Sequence, residues 1–599
     1  LLKFGRGLIL VILLGLAFPN ISTSKERGMI QQVSPSNEQF LPVEQIRPGM
    51  RGKGRTVFSG SEISEFEVEV LGVLKNARAK GDLILVRVSG GPLEKTGVIA
   101  GMSGSPIYIN GKLIGALAFA WTFSKEPIAG VTPISEMLKV FSSQPKESNL
   151  SLNSSPQEEV MVTALKDYPP LTLRPIQTPL MLAGFDERMI SKMEEKLGRF
   201  GLVPVQSGGS TIDEDKDVQL APGSAIGVQL IKGDLDASAI GTLTYLKGNK
   251  VLAFGHPMFL AGTTSLPLTS AYIHTILSSQ EISFKLGSAT KVVGRINEDR
   301  RGGITGEVGS FAQLIPLQVT INSAKQGRLE YNFEVINNKF LSPSLMEWAV
   351  ESSILATEGF WGDSTLRLKF EISLKDYPPI SLEDTSSGPL SLFSSLQKLS
   401  GTIDTLLNNE FKEVKIKKVF LQVSSEEKRQ TATIEGLRLN KTKVKPGDLV
   451  KVMVIIKPFE SEYVIKSVEL KVPENTPEGK IIIKVSDALS DEEAEKSRAP
   501  FKFKAKNLKQ LIKLLEREVP NTQIIVKMVL PRAGAAISGE ELPLLPSSVL
   551  DIMRSSGEAG QGKVTDETNL VETRIKTPWV ISKKTLILPL MVEGGIGNR

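Results

Sequence analysis

Between Pro42 and Leu138 the chain is a succession of short alternating apolar runs, FEVEVLGVL, LILVRV, SPIYI and KLIGALAFA, each ended by Gly, Asn, Ser or Pro. Successive side chains of a strand point to opposite faces, so runs this short, spaced by turn residues, predict a compact all-β unit, a sandwich or a barrel. The same rhythm returns from about Asp217 to Phe340 (AIGVQLI, AIGTLTYL, KVLAF, ISFKL, LIPLQVTI). It returns again from 413 to 488 (VKIKKVFLQV, LVKVMVIIK, SVELKV, KIIIKV), where Lys445-Pro446-Gly447 and Pro477-Glu478-Gly479 supply turns and a β-sandwich is expected. A chain of 599 residues exceeds what one core can serve, so these are separate units of a mainly β protein.

Punctuation between the runs sets the expected boundaries. Residues 1–28 place Lys3 and Arg6 before an apolar run from Leu8 to Phe18, the layout of a signal peptide or signal anchor, which predicts export to the periplasm, cell envelope or exterior. The first β unit occupies 29–143. A linker follows over 144–216, Ser/Asn/Pro-rich at its start, with one helix capped by Asp186, buried along Met189, Met193 and Leu197, and stopped by Gly201. The second β unit spans 217–345, a helical connector 346–412, the sandwich 413–500 and a small α/β region 501–599. That last region holds a helix capped by Asn507, apolar along Leu508, Leu511, Ile512 and Leu515, and a strand at Gln523 to Leu530. The hexapeptide LKDYPP occurs at Leu165 to Pro170 and at Leu374 to Pro379, either a shared exit from two related units or coincidence.

Composition removes several chemistries. There is no cysteine, hence no disulfide, thiol nucleophile or cysteine-held zinc, and with only two histidines and no H-E-x-x-H no metal or other cofactor is expected. A net charge of +6 over this length, without a basic stripe interleaved with aromatics, argues against nucleic acid as a partner.

Against that background Gly101 to Trp121, GMSGSPIYINGKLIGALAFAW, stands out. A serine set as G-x-S-G-x-P can sit on a sharp turn with its hydroxyl exposed and neighbouring N–H groups converging on one spot, as an oxyanion hole requires; the same residues also suit a plain turn before a hairpin at Asn110-Gly111. A serine hydroxyl needs a base within hydrogen-bond reach. His256 ends the second strand of a hairpin in GTLTYLKGNKVLAFGHPM, between Gly255 and Pro257, and is read either as that base or as a turn histidine. His274, in LTSAYIHTILSS, has Ile273 and Leu277 four residues apart and is read as a structural histidine on a buried helix.

The stretch FEVEVLGVLKNARAKGDLILVRVSGGPLEKTGVIAGMSGSPIYINGKLIGALAFAW resembles the serine-bearing segment of the SpoIVB peptidase family, the sporulation-type serine peptidases, most closely in GMSGSPIYINGKLIGA. GTLTYLKGNKVLAFGHP is similar to that family's histidine segment, and PIAGVTPISEML to its final strand and following helix. The resemblance implies two chymotrypsin-like β-barrel units, here in exchanged order because the serine precedes the histidine. No PDZ domain is evident, and VRVSGGPLEKTG offers Val88, Ser89 and Gly90 where the family's acid is wanted. Asp299, 43 residues beyond His256 in the charge cluster Glu298-Asp299-Arg300-Arg301, is the proposed acid; a solvated turn is the alternative, Asp82 a weaker choice, and a Ser-His dyad a third.

The expected protein is therefore an exported serine endopeptidase. Ser103, His256 and Asp299 are its catalytic residues, and the N–H groups of Gly101 and Ser103 its oxyanion hole. The strand Gly115, Ala116, Leu117, Ala118, Phe119 pairs with a protein or peptide substrate, and the C-terminal β-sandwich docks a cell-envelope partner. The alternative is a non-enzymatic envelope protein that keeps a peptidase-like fold for binding or assembly.

Overall fold

The structure, a computed structural model, describes residues 40–78, 81–121, 124–141, 160–162, 171–209, 219–359, 362–389, 396–537, 540–542, 545–555 and 562–594. The expected signal at 1–28, the linker residues 144–158 and the first LKDYPP copy lie outside the described residues.

The chain is mainly β. Strands β1 (Arg51–Val57), β2 (Ile63–Arg78), β3 (Gly81–Ser89), β4 (Pro106–Ile109), β5 (Lys112–Ala120) and β6 (Ile128–Pro133) pair antiparallel in the order β4-β1-β2-β3-β6-β5. Strand β5 returns to β4, so the six strands close into a barrel without a free edge. Alternate residues of β3 (Ile84, Val86, Val88) point inward to a core shared with Phe66, Ile107 and Leu117. The β4–β5 turn is Asn110-Gly111, with φ of 50° and 74°, the positive pair that a two-residue hairpin of right-handed twist needs.

Two short strands lead out of this barrel. β7 (Val160–Val162) pairs with β8 (Leu171–Pro175), and β8 pairs with the far end of β5. β9 (Thr178–Ala183) then runs parallel to β10 (Leu202–Ser207), with the helix Glu187–Leu197 between them as its residues predict: Asp186 accepts from Arg188 N–H, and Met189, Met193 and Leu197 are buried. A second closed ring follows, made of β11 (Ala225–Gly233), β12 (Asp236–Lys247), β13 (Lys250–Ala253), β14 (Gly262–Leu277), β15 (Phe284–Arg300) and β16 (Gly303–Val308). Its order is β12-β13-β16-β15-β14-β11, closed by β11 on β12. β9 lies antiparallel on β12, so Ile176 and Gln177 are the bridge between the two rings.

Several expectations change beyond the rings. β14 is a strand where a helix was expected; His274 on it is exposed and meets Ser288 Oγ at 2.9 Å. The connector 346–412 is not only helical: besides the helices Ser342–Glu358 and Gln397–Leu407 it holds the antiparallel strands Ser364–Leu374 and Ile380–Gly388. The strand Ile416–Glu426, expected in the sandwich, runs parallel to Leu314–Ser323 and extends the second ring's sheet instead. The sandwich itself is present, with sheets of four and five strands packed through Val450, Val452, Val454, Ile481, Ile483 and Val526. It takes Gln523–Leu530, Thr568–Lys576 and Thr585–Val592 from the C-terminal region, which is thus not a separate unit.

Candidate active site

Ser103 sits where the two rings interlock. Met102 O accepts from Ser105 N–H at 3.0 Å and from Ser105 Oγ at 2.6 Å, closing a tight turn around Ser103 and Gly104. The outer side of the turn is held by β12. Thr242 N–H donates to Ser103 O at 2.9 Å, Thr242 Oγ1 to Gly101 O at 3.1 Å and Thr244 Oγ1 to Gly104 O at 2.7 Å. Gly104 has φ +95°, and a Cβ there would lie 2.0 Å from Thr242 O and 2.5 Å from Phe254 N, so only glycine fits. The serine turn is therefore shaped by both rings.

His256 reaches the same interface from the other side. After β13 the backbone bends sharply, with Phe254 at φ 67° and Gly255 at φ 71°. Thr132 Oγ1 of the first ring donates to Gly255 O at 2.7 Å, and a Cβ on Gly255 would meet those of Ala118 and Ala116 at 3.0 and 3.1 Å. The imidazole is 3% exposed. Its Nδ1 is 2.8 Å from Pro257 O, and because a carbonyl can only accept, Nδ1 carries the proton and Nε2 is bare. Burial drives its pKa down to about 4, helped by the Arg78 charge, while the nearby Pro257 and Ile176 carbonyls act in the opposite sense.

Neither Ser103 Oγ nor His256 Nε2 has a hydrogen-bond partner, and both are buried. The loops are brought together, but the direct Ser-His hydrogen bond expected of a formed dyad is not made. Asp299 is not the ring's partner either. It lies within β15, fully buried and not on a solvated turn, and its carboxylate accepts the N–H groups of Met258 (2.9 Å), Phe259 (2.6 Å) and Ala261 (3.3 Å). It thus shapes the loop that follows the histidine. Burial raises its pKa to about 6 against the opposing pull of those N–H groups. Asp82 is bound to Lys75 Nζ at 2.6 Å and to Asn76 N–H at 2.9 Å, at the end of the β2–β3 hairpin.

The remaining site residues divide. Gly115, Ala116 and Leu117 lie inside the barrel, with β6 along one edge of them and β4 or the Ser103 turn along the other, so they cannot pair with a substrate. Ala118 and Phe119 extend past β4, but that edge is taken by the chain itself: Ile176 N–H donates to Ala118 O at 2.8 Å, and Phe119 and Ala120 pair with Pro175 and Arg174. The Gly101 N–H, expected in an oxyanion hole, donates to Gln177 O at 3.2 Å.

Sequence reasoning missed Lys285, at the start of β15. It is fully buried, its Nζ donates to Thr56 Oγ1 at 2.7 Å and Thr242 Oγ1 at 3.4 Å, and its Cδ would touch a Cβ on Gly101 at 3.4 Å. No carboxylate pairs with it among the described residues, and burial lowers its pKa to about 7. The folded chain thus binds fewer protons than the unfolded one between about pH 7 and 10.5, so the lysine's penalty is full below 7 and fades as pH rises through that window. Lys285→Met is expected to stabilise the fold at pH 7 by roughly 1–4 kcal/mol, with no gain near pH 10.5; denaturant unfolding at both pH values checks this.

No curated protein and no solved structure matches the chain. The model of one family does match, over residues 23–138, a stretch that contains Ser103 and all six strands of the first barrel and ends before His256. Over those residues the chain carries the sequence pattern of the SpoIVB peptidase S55 family.

Proposed function

We propose that the chain is an exported serine endopeptidase acting on protein substrates, with Ser103 as nucleophile, His256 as general base and the N–H groups of Gly101 and Ser103 as oxyanion donors. The observation that carries this reading is the pair of orphaned atoms, a hydroxyl donor and a bare imidazole nitrogen, buried in one interface between two closed barrels. Leaving a polar group buried and unpaired costs about 1–3 kcal/mol, and such groups collect where chemistry needs them. The match of residues 23–138 to a peptidase family supports the same conclusion. The Pro257 carbonyl takes the place of an acid: it holds Nδ1 protonated and leaves Nε2 free to accept the serine proton, so the machinery is a dyad oriented by backbone. Export rests on the Lys3 to Phe18 pattern, and a cell-envelope partner would dock on the sandwich.

A second reading, a binding platform without catalysis, is favoured by the missing Ser-His hydrogen bond. Hydrolysis of an unfolded protein substrate separates the two. Ser103→Ala is expected to abolish it, and His256→Ala to lower it at least about a thousandfold. A protonated imidazole cannot accept the serine proton, so activity should fall as pH drops through about 4, rather than near the ordinary histidine value of 6.5. Hydrolysis unchanged in Ser103→Ala, or absent from folded wild type and from every variant with an opened cleft, would remove the peptidase reading.

A further inference from the structure

The bridge between the barrels carries more than connectivity. Arg174 and Pro175 lie antiparallel to Ala120 and Phe119, and the Ile176 N–H donates to Ala118 O. This is strand addition, the way an extended peptide binds a sheet edge. The next residue, Gln177, offers its carbonyl to Gly101 N–H, and the Ile176 carbonyl lies against the His256 ring. The Ile176 side chain, 4% exposed, joins the apolar cluster that contains Ile99, Met102 and Leu117. One stretch of four residues therefore meets the strand edge, the serine turn and the histidine together. Ser103 itself is 0% exposed.

We propose that Arg174–Gln177 occupies the place of a peptide substrate, so that the folded chain blocks its own site, and that the cleft takes extended peptides with an apolar side chain where Ile176 sits. The proposal rests on the peptidase reading and names its regulation and substrate class. The block is inhibitor-like because the strand pairing and the oxyanion contact are out of step. Ile176 makes the strand bond nearest the serine turn, but the carbonyl on Gly101 N–H belongs to Gln177. Ser103 Oγ makes no hydrogen bond to either residue. Activation requires the segment to leave the edge of β5.

The test compares wild type with Ile176→Ser and Ile176→Ala, each shown to be folded by circular dichroism, using a fluorophosphonate probe and a fluorescent synthetic peptide, LTLRPIQT, copied from Leu171 to Thr178. Both variants are expected to label at least tenfold faster than wild type, with the signal lost when Ser103→Ala is added. The peptide should slow their labelling, and a copy with aspartate in place of isoleucine should not. Labelling equally fast in wild type and both variants would overturn the self-block while leaving the peptidase reading intact. If none labels, the peptidase reading fails, and peptide anisotropy decides the rest: binding to the variants but not to wild type upholds the self-block, and no binding to the variants overturns it.

Discussion

Gly104→Ala is expected to destabilise the paired barrels by several kcal/mol, on the order of 4–5, and to abolish any activity that depends on Ser103. A methyl at this position would lie 2.0 Å from Thr242 O, in the middle of β12, and 2.5 Å from Phe254 N, just past the end of β13, and neither backbone atom can move aside as a flexible side chain would. The backbone is also at φ +95°, where an L-residue is strained by about 1–3 kcal/mol. Gly97, in the same loop at φ +66° but with nothing within 4 Å of its Cβ position, separates the two effects. Gly97→Ala should cost only the conformational share, about 1–3 kcal/mol. Hydrogen exchange of Thr242 and Leu117, whose N–H groups bond to the Ser103 turn, reads the difference locally and avoids assuming a two-state transition for a chain of several units.

Asp299→Ala carries the second large effect. Three backbone N–H groups, of Met258, Phe259 and Ala261, lose their acceptor; at about 1–3 kcal/mol for each buried orphan, the expected loss is roughly 3–9 kcal/mol. His256 immediately precedes this loop, so hydrolysis should fall although Asp299 does not touch the ring. The pH dependence has a definite sign. With the folded pKa raised to about 6 from 3.8, the folded state binds the extra proton between these values. The protonation-linked part of the stabilisation from Asp299 is complete below 3.8 and lost as pH rises through about 6, so wild type should exceed Asp299→Ala by more at pH 4 than at pH 7. Denaturant unfolding of both proteins at the two pH values checks the ordering.

What the sequence revealed about the site was local. The Ser103 turn, the Asn110-Gly111 hairpin, the strand that ends near His256 and the helix capped by Asp186 depend on neighbours within a few residues, and all were legible. β14 was misread because Ile273 and Leu277, four residues apart, share a face in a strand as well as in a helix. The connector strand Ser364–Leu374 alternates openly in LRLKFEISL, and its neighbours' helical pattern obscured it. In sequence Asp299 reads as a catalytic acid or a residue of a solvated turn because its sequence neighbours are charged, whereas the backbone N–H groups it holds lie about 40 residues earlier in the chain. Lys285 occupies the outward face of its strand in an alternating pattern, but that face meets the serine turn and not water. Nothing near Ile176 marks it as an occupant of the cleft, because the strand edge it covers is more than 50 residues away.

The most direct test of the central claim is to locate the fluorophosphonate adduct by peptide mass spectrometry in wild type, Ile176→Ser and Ile176→Ser with His256→Ala. An adduct on Ser103, strongest in Ile176→Ser and lost with the histidine, is the result predicted. Folded Ile176→Ser protein without an adduct on Ser103, or with one that survives removal of His256, would contradict the account.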